Sequence, residues 1–177
     1  VFMKVKCHRR YGKILGTKEM PGATWFEGST LNYAEHIFRE EKKDFPALIF
    51  KSDRQETTEI SWEKLHREVA SMRKWMKDQG IQKGDTVVAY LPNIPEASVA
   101  FLATCSLGAI WSSCSPDFGV KSVVDRFRQI EPKLLFTVDG YQYGGRPYDR
   151  SREVKELINA LPTLEKVILL PYLDQYC

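Results

Sequence analysis

Residues 84–119 read GDTVVAYLPNIPEASVAFLATCSLGAIWSSCSPDFG, and this stretch decides the fold. Its first segment, residues 86–91, is a short apolar run rich in β-branched side chains, which indicates a strand buried on both faces. Pro95 suits the first turn of a helix, and the apolar residues after it end at Gly108, a good helix stop. Residues 109–114 are a second apolar strand. A strand, a helix and a strand with short connections predict a βαβ unit, whose two strands are parallel.

Upstream of this unit, the sequence predicts four further segments. Residues 1–23 show no clear periodicity and predict an irregular arm. Asn32 is a candidate N-cap for a helix over residues 33–41. Residues 47–60 contain an apolar strand, a polar turn and a Thr-rich strand, which is typical of a β-hairpin. An amphipathic helix is then expected over residues 62–79, with a serine as its N-cap.

Downstream, the alternation of helices and strands continues. The sequence predicts a helix over 121–130, a strand over 133–138 and a loop rich in Tyr, Gly and Arg over 141–150. A helix capped by Ser151 and extending to residue 161, and a strand over 167–170, are expected to follow. The expected fold class is therefore α/β, with a mostly parallel sheet and helices on both of its faces. An irregular arm, a helix and a β-hairpin precede that sheet.

Composition and charge exclude several classes of partner. The formal net charge of +3 is small and evenly spread, so nucleic acid is not an expected partner. No apolar run approaches the roughly 18 residues that a membrane span needs, so we expect no membrane partner either. The N-terminal residues lack the apolar core of a signal peptide. The expected compartment is the cytoplasm, with an organelle matrix as the alternative.

Metal-ligand spacing is not found. His8, His36 and His66 lie far apart, and the four cysteines form no CxxC pair, so a zinc site is not expected. Cys105 and Cys114 fall in predicted apolar elements, where cysteines act as small, buried, reduced side chains.

The candidate catalytic and ligand-binding side chains lie towards the ends of the predicted strands and in the loops after them. Residues 112–115 read SSCS, but no G-x-S-x-G elbow surrounds them and no histidine lies nearby in the sequence, so we expect their hydroxyls to cap the next helix. Residues 143–147 read YGGRP and combine an aromatic ring, two flexible glycines and an arginine suited to phosphate or carboxylate. Two interpretations of this second segment stay open, a phosphate contact and a surface loop with a salt bridge.

Several motifs resemble the acyl-CoA synthetase, or adenylate-forming AMP-binding, superfamily. Three of them lie in the opening stretch: Gly84-Asp85-x-Val87, Leu91-Pro92-Asn93-x-Pro95-Glu96 and Gly108-Ala109. Residues 25–36 (WFEGSTLNYAEH) are similar to the N-terminal extension of the short-chain branch. Residues 111–119 (WSSCSPDFG), with 125–127 (DRF) and 130–133 (IEPK), are similar to its acetoacetate-activating members. The resemblance runs from about Met20 to the C-terminus.

This resemblance implies ATP-dependent ligation of acetoacetate to CoA. The carboxylate attacks ATP to give an acyl-adenylate and pyrophosphate, the CoA thiol then displaces AMP, and Mg²⁺ balances the phosphate charge. Two alternatives remain open. One is a synthetase for another short-chain acid, such as propionate or acetate, and the other is a non-catalytic module that holds a CoA-like nucleotide or a partner.

The resemblance also implies one binding site within this chain. In the short-chain branch, a loop after the third of these strands supplies two arginines to the CoA nucleotide at its 3′-phosphate end. Counting along the chain places one of them on Arg146 and the other on Tyr143, where a ring offers stacking on adenine instead of a charge. A glycine near the CoA path falls on Pro116, a second departure from the pattern.

Length suggests that the chain is an N-terminal fragment, since it is roughly a quarter of what the superfamily requires. The phosphate loop ending in lysine, the adenine-binding motifs and the C-terminal catalytic lysine are not in the sequence. We expect residues 1–60 to be the N-terminal extension with its hairpin, and residues 61–177 to be a truncated first α/β subdomain of the adenylating domain. No catalytic residue is expected, the fragment alone should be inactive, and its exposed apolar surface should cause self-association.

Overall fold

The computed structural model describes residues 7–39, 41 and 44–173, and the chain divides into two compact units. In the first unit, Val1–Glu41, the described residues before the helix are largely irregular, as expected, and include two isolated β-bridges. Its helix α1 (Tyr33–Arg39) begins after Asn32, whose Oδ1 accepts a hydrogen bond from the Glu35 amide at 3.1 Å. The predicted N-cap is therefore confirmed, although α1 ends at Arg39 rather than at residue 41.

The second unit, Lys42–Cys177, contains the predicted α/β alternation. Its elements in chain order are β1 (Leu48–Ser52), β2 (Gln55–Ile60), α2 (Trp62–Asp78), β3 (Thr86–Tyr90), α3 (Pro95–Leu107), β4 (Ile110–Cys114), α4 (Val120–Phe127), a 3₁₀ turn (Arg128–Ile130), β5 (Leu134–Val138), β6 (Gly140–Tyr143), β7 (Arg146–Asp149), α5 (Ser151–Ala160) and β8 (Lys166–Leu170). Pro95 is the first residue of α3, and Gly108 ends that helix in the left-handed conformation with φ of 72°.

The central sheet has four strands in the order β4-β3-β5-β8, and all three pairings are parallel. The hairpins β1–β2 and β6–β7 form two separate two-stranded sheets. Every residue of the central strands β3 and β5 is buried, because helices cover both faces of the sheet. The α/β fold with a mostly parallel sheet is therefore confirmed.

Each face of the sheet has its own pair of helices. On one face, Tyr90 and Leu135 pack with Phe127 of α4 and Leu157 of α5 in a single buried cluster. On the other face, α3 packs between α2 and β4. There the rings of Phe101 and Trp111 lie 6.0 Å apart, and the ring of Trp111 lies 6.2 Å from that of Phe136.

The predicted loop over residues 141–150 is wrong, because most of it is the antiparallel hairpin β6–β7. Its two-residue turn is Gly144-Gly145, with φ of 57° and 74°. Positive φ at both central positions matches the right-handed twist of the flanking strands, and only glycine adopts it without strain. The turn places Tyr143 directly opposite Arg146 and Tyr141 opposite Tyr148.

Two predicted helix starts and one helix end also differ from the structure. Gly119 is the N-cap of α4 and no side chain caps that helix, so the expected capping by the serines of residues 112–115 is wrong. Ser151 is the first residue of α5 rather than its cap, and its amide donates to Asp149 Oδ1 at 2.8 Å. The helix predicted over 121–130 tightens into a 3₁₀ turn after Phe127.

Candidate functional site

The candidate site lies on the β6–β7 hairpin, which leaves the carboxyl end of β5. In parallel α/β sheets, ligands gather at the carboxyl ends of the strands. Tyr143 and Arg146 are the two residues that flank the Gly144-Gly145 turn, so both side chains stand at the hairpin tip. Tyr143 is 74% exposed, and Arg146 is also exposed.

One face of the hairpin carries all of the site's aromatic and cationic side chains. Alternate residues of a strand point to the same side, so Tyr141 and Tyr143 share a face with their cross-strand partners Tyr148 and Arg146. Within residues 7–39, 41 and 44–173, no carboxylate lies within ion-pair distance of Arg146. Its guanidinium therefore keeps its donors for an anion, and the exposed Tyr143 ring has a face open for stacking.

The hairpin base, which we define as Tyr141, Tyr148 and Arg150, is packed far more tightly than the tip. The rings of Tyr141 and Tyr148 stack with centroids 5.2 Å apart and an interplanar angle of 13°. The Arg150 guanidinium lies over the Tyr141 ring, 5.2 Å from its centroid, and donates to the Tyr141 hydroxyl at 3.1 Å. It also pairs with Glu153 Oε1 of α5 at 2.8 Å.

The charge of Arg150 is secured by these partners. Partial burial alone would lower the pKa of the guanidinium, but hydrogen bonds with Tyr141 and Glu153 outweigh that effect and raise it above its usual value. Its Nε is buried and has no hydrogen-bond partner among the described residues. Arg150 is thus held by two of its nitrogens and by the face of its guanidinium.

Backbone contacts fix the point where the hairpin joins the sheet. The Arg150 amide donates to the Asp139 carbonyl at 2.7 Å, which closes the two ends of the hairpin. The Asp139 carboxylate in turn accepts hydrogen bonds from the amides of Tyr172 and Leu173, each at 2.8 Å. At Gly140, an added Cβ would collide with the backbone carbonyl oxygen of Tyr148, so the two strands approach too closely for any side chain there.

The loop after β4 contains Pro116 and is hydrogen-bonded by Tyr90 of β3. The Tyr90 hydroxyl lies 2.8 Å from the carbonyl oxygens of both Pro116 and Phe118 and donates its single hydrogen bond to them. Burial raises the pKa of Tyr90 to about 12, so this hydroxyl stays protonated and keeps donating at physiological pH. After burial, the positive charge of Arg150 lowers the pKa of Tyr90 and the negative charge of Asp117 raises it, and both effects are smaller than that of burial.

Cys114 lies at the end of β4, on the same edge of the sheet. It is buried, and its Sγ accepts a hydrogen bond from Arg126 Nη1 at 3.8 Å. In the part of the chain that the structure describes, no group of three or more His, Cys, Asp or Glu side chains could hold a metal ion.

Two clefts open along the same edge, apart from the hairpin tip. One of about 420 Å³ lies between the β1–β2 hairpin, the start of α3 and the end of β8. The other, of about 320 Å³, lies between the ends of β3 and β4 and the first turns of α3. Neither is lined by Tyr143 or Arg146.

Residue-by-residue reasoning from the sequence missed the hairpin base. Tyr141, Tyr148 and Arg150 were expected only as members of a loop. A usable signal was present, because a Gly-Gly pair flanked by tyrosines on both sides predicts a two-residue hairpin turn. That turn sets the register and brings Tyr141 and Tyr148 together.

Comparisons with known proteins agree over most of the chain. A family model described as AMP-binding enzyme matches residues 35–176. The chain is 42% identical over 176 residues to acetoacetyl-CoA synthetase of Rattus norvegicus, which covers 97% of this chain and 26% of that protein. It is 41% identical over 155 residues to acetoacetyl-coenzyme A synthetase of Rhizobium meliloti, covering 86% and 23%.

A solved structure gives the same result in three dimensions. The acetoacetyl-CoA synthetase from Streptomyces lividans matches with a TM-score of 0.90 and 47% sequence identity, over 98% of this chain and 27% of that chain. The present chain therefore spans about a quarter of the length of the relatives that it matches.

Proposed function

Since the chain belongs to the AMP-binding enzyme family, we propose that it is the N-terminal part of an AMP-forming ligase that joins acetoacetate to CoA. The observation that carries this proposal is the match to the Streptomyces lividans acetoacetyl-CoA synthetase, which extends over 98% of the chain at 47% identity. The relatives in rat and Rhizobium meliloti bear the same name, which supports acetoacetate over acetate or propionate as the acid.

The proposed reaction has two halves. A carboxylate oxygen of acetoacetate attacks the α-phosphorus of ATP, pyrophosphate leaves, and an acyl-adenylate forms. The CoA sulfur then attacks the acyl carbon, and AMP leaves with the bonding electrons. Magnesium would offset the charge of the phosphates, but the described residues offer no ligand set for it. We assign no step of the chemistry to this chain, and its proposed part is to bind and orient CoA.

We propose the hairpin tip as the CoA contact of this chain. Arg146 would bind the 3′-phosphate of the nucleotide, and Tyr143 would stack on its adenine. Three observations support this assignment: the tip lies at the carboxyl edge of the sheet, both side chains are exposed, and they share one face. A planar guanidinium without a carboxylate partner suits a phosphate dianion.

We propose the domain division that the sequence predicts. Residues 1–60 would be the N-terminal extension, and residues 61–177 the first α/β subdomain of the adenylating domain. Among the described residues, no helix is long and apolar enough to cross a membrane. We propose the cytoplasm as the working compartment, which fractionation of cells that express the tagged full-length protein would test.

The experiment that tests the function uses the full-length protein and this chain side by side. We expect the full-length protein to release pyrophosphate only when ATP and acetoacetate are both present, and to form acetoacetyl-CoA when CoA is added. Acetate and propionate serve as competing acids. The chain 1–177 alone should form no adenylate. Absence of pyrophosphate release by the full-length protein would leave the non-catalytic binding module as the better description.

We also propose that the isolated chain self-associates through the open edges of its sheet. In the described part of the chain, β4 and β8 each pair on one side only. Both expose apolar side chains, with Ile110 of β4 at 51% and Leu169 of β8 at 56%. Unprotected apolar edge strands are prone to pairing with another chain.

Light scattering of the chain 1–177 at high concentration should therefore give a mass above that of a monomer. Leu169→Lys adds a charge at one edge and should shift the mass towards the monomer. Lys166 already places a charge on the same strand, so Lys166→Arg is a control that should leave the mass unchanged. A monomeric mass for the unaltered chain would refute the proposal.

A further inference from the structure

We infer that Arg150 is a positioning residue, which holds the hairpin so that Arg146 meets the 3′-phosphate of CoA in one orientation. The inference deepens the proposed function and rests on it. Arg150 does not itself contact the nucleotide in this proposal, because its guanidinium is already engaged by Tyr141 and Glu153. It acts through the hairpin base.

The hairpin needs an external anchor. Each of its strands has four residues, and no strand of the central sheet pairs with it. An isolated two-stranded hairpin is marginally stable in water. At the tip, the only backbone anchor among the described contacts is a long hydrogen bond of 3.4 Å from the Gly145 amide to Asp53 Oδ2. The orientation of the tip must therefore be set mainly at the base.

Arg150 supplies that anchor because it connects the hairpin to a rigid helix. Its Nη1 pairs with Glu153 in the first turn of α5. That helix is fixed in the core through Val154 and Leu157. The other terminal nitrogen, Nη2, donates to the Tyr141 hydroxyl, while the guanidinium plane covers the Tyr141 ring. Arg150 thereby fixes the Tyr141 side chain of β6 relative to α5.

The hairpin base passes this constraint to the tip. Tyr141 stacks on Tyr148, so one ring in each strand is held by Arg150. Tyr143 and Arg146 follow at the next positions on the same face, two residues from those rings. A rotation of the Tyr141–Tyr148 pair would turn both tip side chains with it. Displacement of a binding group by about 1 Å is enough to weaken its contribution strongly.

Lysine cannot replace Arg150 in this role, although it keeps the charge. The planar fork of arginine bonds to two partners at once and stacks on a ring, whereas an ammonium group does neither in the same geometry. Arg150→Lys therefore removes the positioning and retains the charge. Tyr141→Phe complements it, because it removes one hydroxyl and leaves the stacked rings in place.

The test compares CoA with 3′-dephospho-CoA as substrates of the full-length protein. For Arg150→Lys, we expect the KM for CoA to rise about three- to tenfold, with kcat nearly unchanged. The KM for 3′-dephospho-CoA should rise by less, since that substrate keeps the adenine on which Tyr143 would stack but lacks the phosphate that Arg146 would bind. Tyr141→Phe should change the KM values for CoA and for 3′-dephospho-CoA in the same direction as Arg150→Lys does, but by smaller factors. Arg152→Lys is the matched control, because Arg152 lies in the first turn of α5, its side chain is 88% exposed and it pairs with Glu156 on the same helix.

A purely structural role would give a different result. If Arg150→Lys and Tyr141→Phe raise the KM for both nucleotides equally, or leave the KM for CoA unchanged, the inference is overturned. A double variant adds an independent readout. Arg146→Ala with Arg150→Lys should raise the KM for CoA by less than the product of the two single effects, because residues that act through a shared contact are not additive.

The two proposals fail in distinguishable ways. An unchanged KM for CoA in Arg146→Ala would remove the proposed CoA contact itself. A raised KM in Arg146→Ala together with an unchanged KM in Arg150→Lys would remove only the positioning role. Melting temperatures of all variants show whether a change in KM accompanies a loss of folding.

Discussion

Replacing Arg146 with alanine in the full-length protein should raise the KM for CoA about ten- to hundredfold. The physical reason is the loss of a charge-assisted contact between a guanidinium and a phosphate, which neither water nor the neighbouring glycines replace. The KM values for ATP and for acetoacetate should stay as they are, because the first half-reaction precedes CoA. Steady-state kinetics with each substrate varied in turn measures this.

Arg152→Ala is the control for that experiment. It removes an arginine of equal charge from the exposed side of α5, where its partner is Glu156. A general effect of net charge on nucleotide binding would appear in both variants. An unchanged KM for CoA in Arg146→Ala would contradict the proposed site, whatever the control shows.

Gly140→Ala should lower the free energy of unfolding by about 3 kcal/mol. The added Cβ would collide with the backbone carbonyl oxygen of Tyr148 and would lie 3.1 Å from the Asp149 Cα. Backbone atoms of a paired strand cannot move aside as a flexible side chain can, so the two strands must separate. Urea denaturation of the chain followed by circular dichroism gives the difference.

Gly119→Ala provides the comparison at a permissive glycine. Gly119 is the N-cap of α4 with φ of −63°, and no atom lies within 4 Å of the Cβ it would gain. The expected cost there is about 1 kcal/mol, because alanine is a poorer N-cap than glycine, and this is well below the cost expected at Gly140. Equal destabilisation by the two substitutions would show that the close approach at Gly140 is not what determines the result.

The central sheet was predictable because its signals are local. Thr86–Tyr90 is a continuous apolar run, Pro95 starts the next helix and Gly108 ends it, and all three features act within a few residues of their own positions. The same holds for the cap at Ser61, whose Oγ accepts the Lys64 amide at 3.1 Å. Such segments form the same structure in many contexts.

The errors arose where local signals compete or where distant residues decide. The turn Gly144-Gly145 was interpreted as flexibility, although two glycines in succession also allow the positive φ values of a tight hairpin turn. The serines of residues 112–115 are suitable caps by residue type, but Ser112 and Ser113 lie within β4 and the backbone reaches α4 only at Gly119. Residue type alone does not tell where that path turns.

The candidate site divides in the same way. Arg146 and Tyr143 were proposed by counting along a resemblance, which needs no knowledge of side-chain contacts. Arg150 was not predicted, because the role that we propose for it depends on Glu153, in the first turn of α5, and on the register that places Tyr141 against Tyr148. Those contacts exist only once the hairpin, the helix and the sheet are assembled.

The β6–β7 hairpin begins and ends at almost the same point in space, since its first residue, Gly140, pairs directly with its last, Asp149. A segment whose ends already meet can be exchanged for one of another length or composition without moving β5 or α5. Nucleotide preference carried on such an insert can diverge during evolution while the scaffold is conserved. Selection for stability and selection for ligand choice would then act on different parts of one crossover connection.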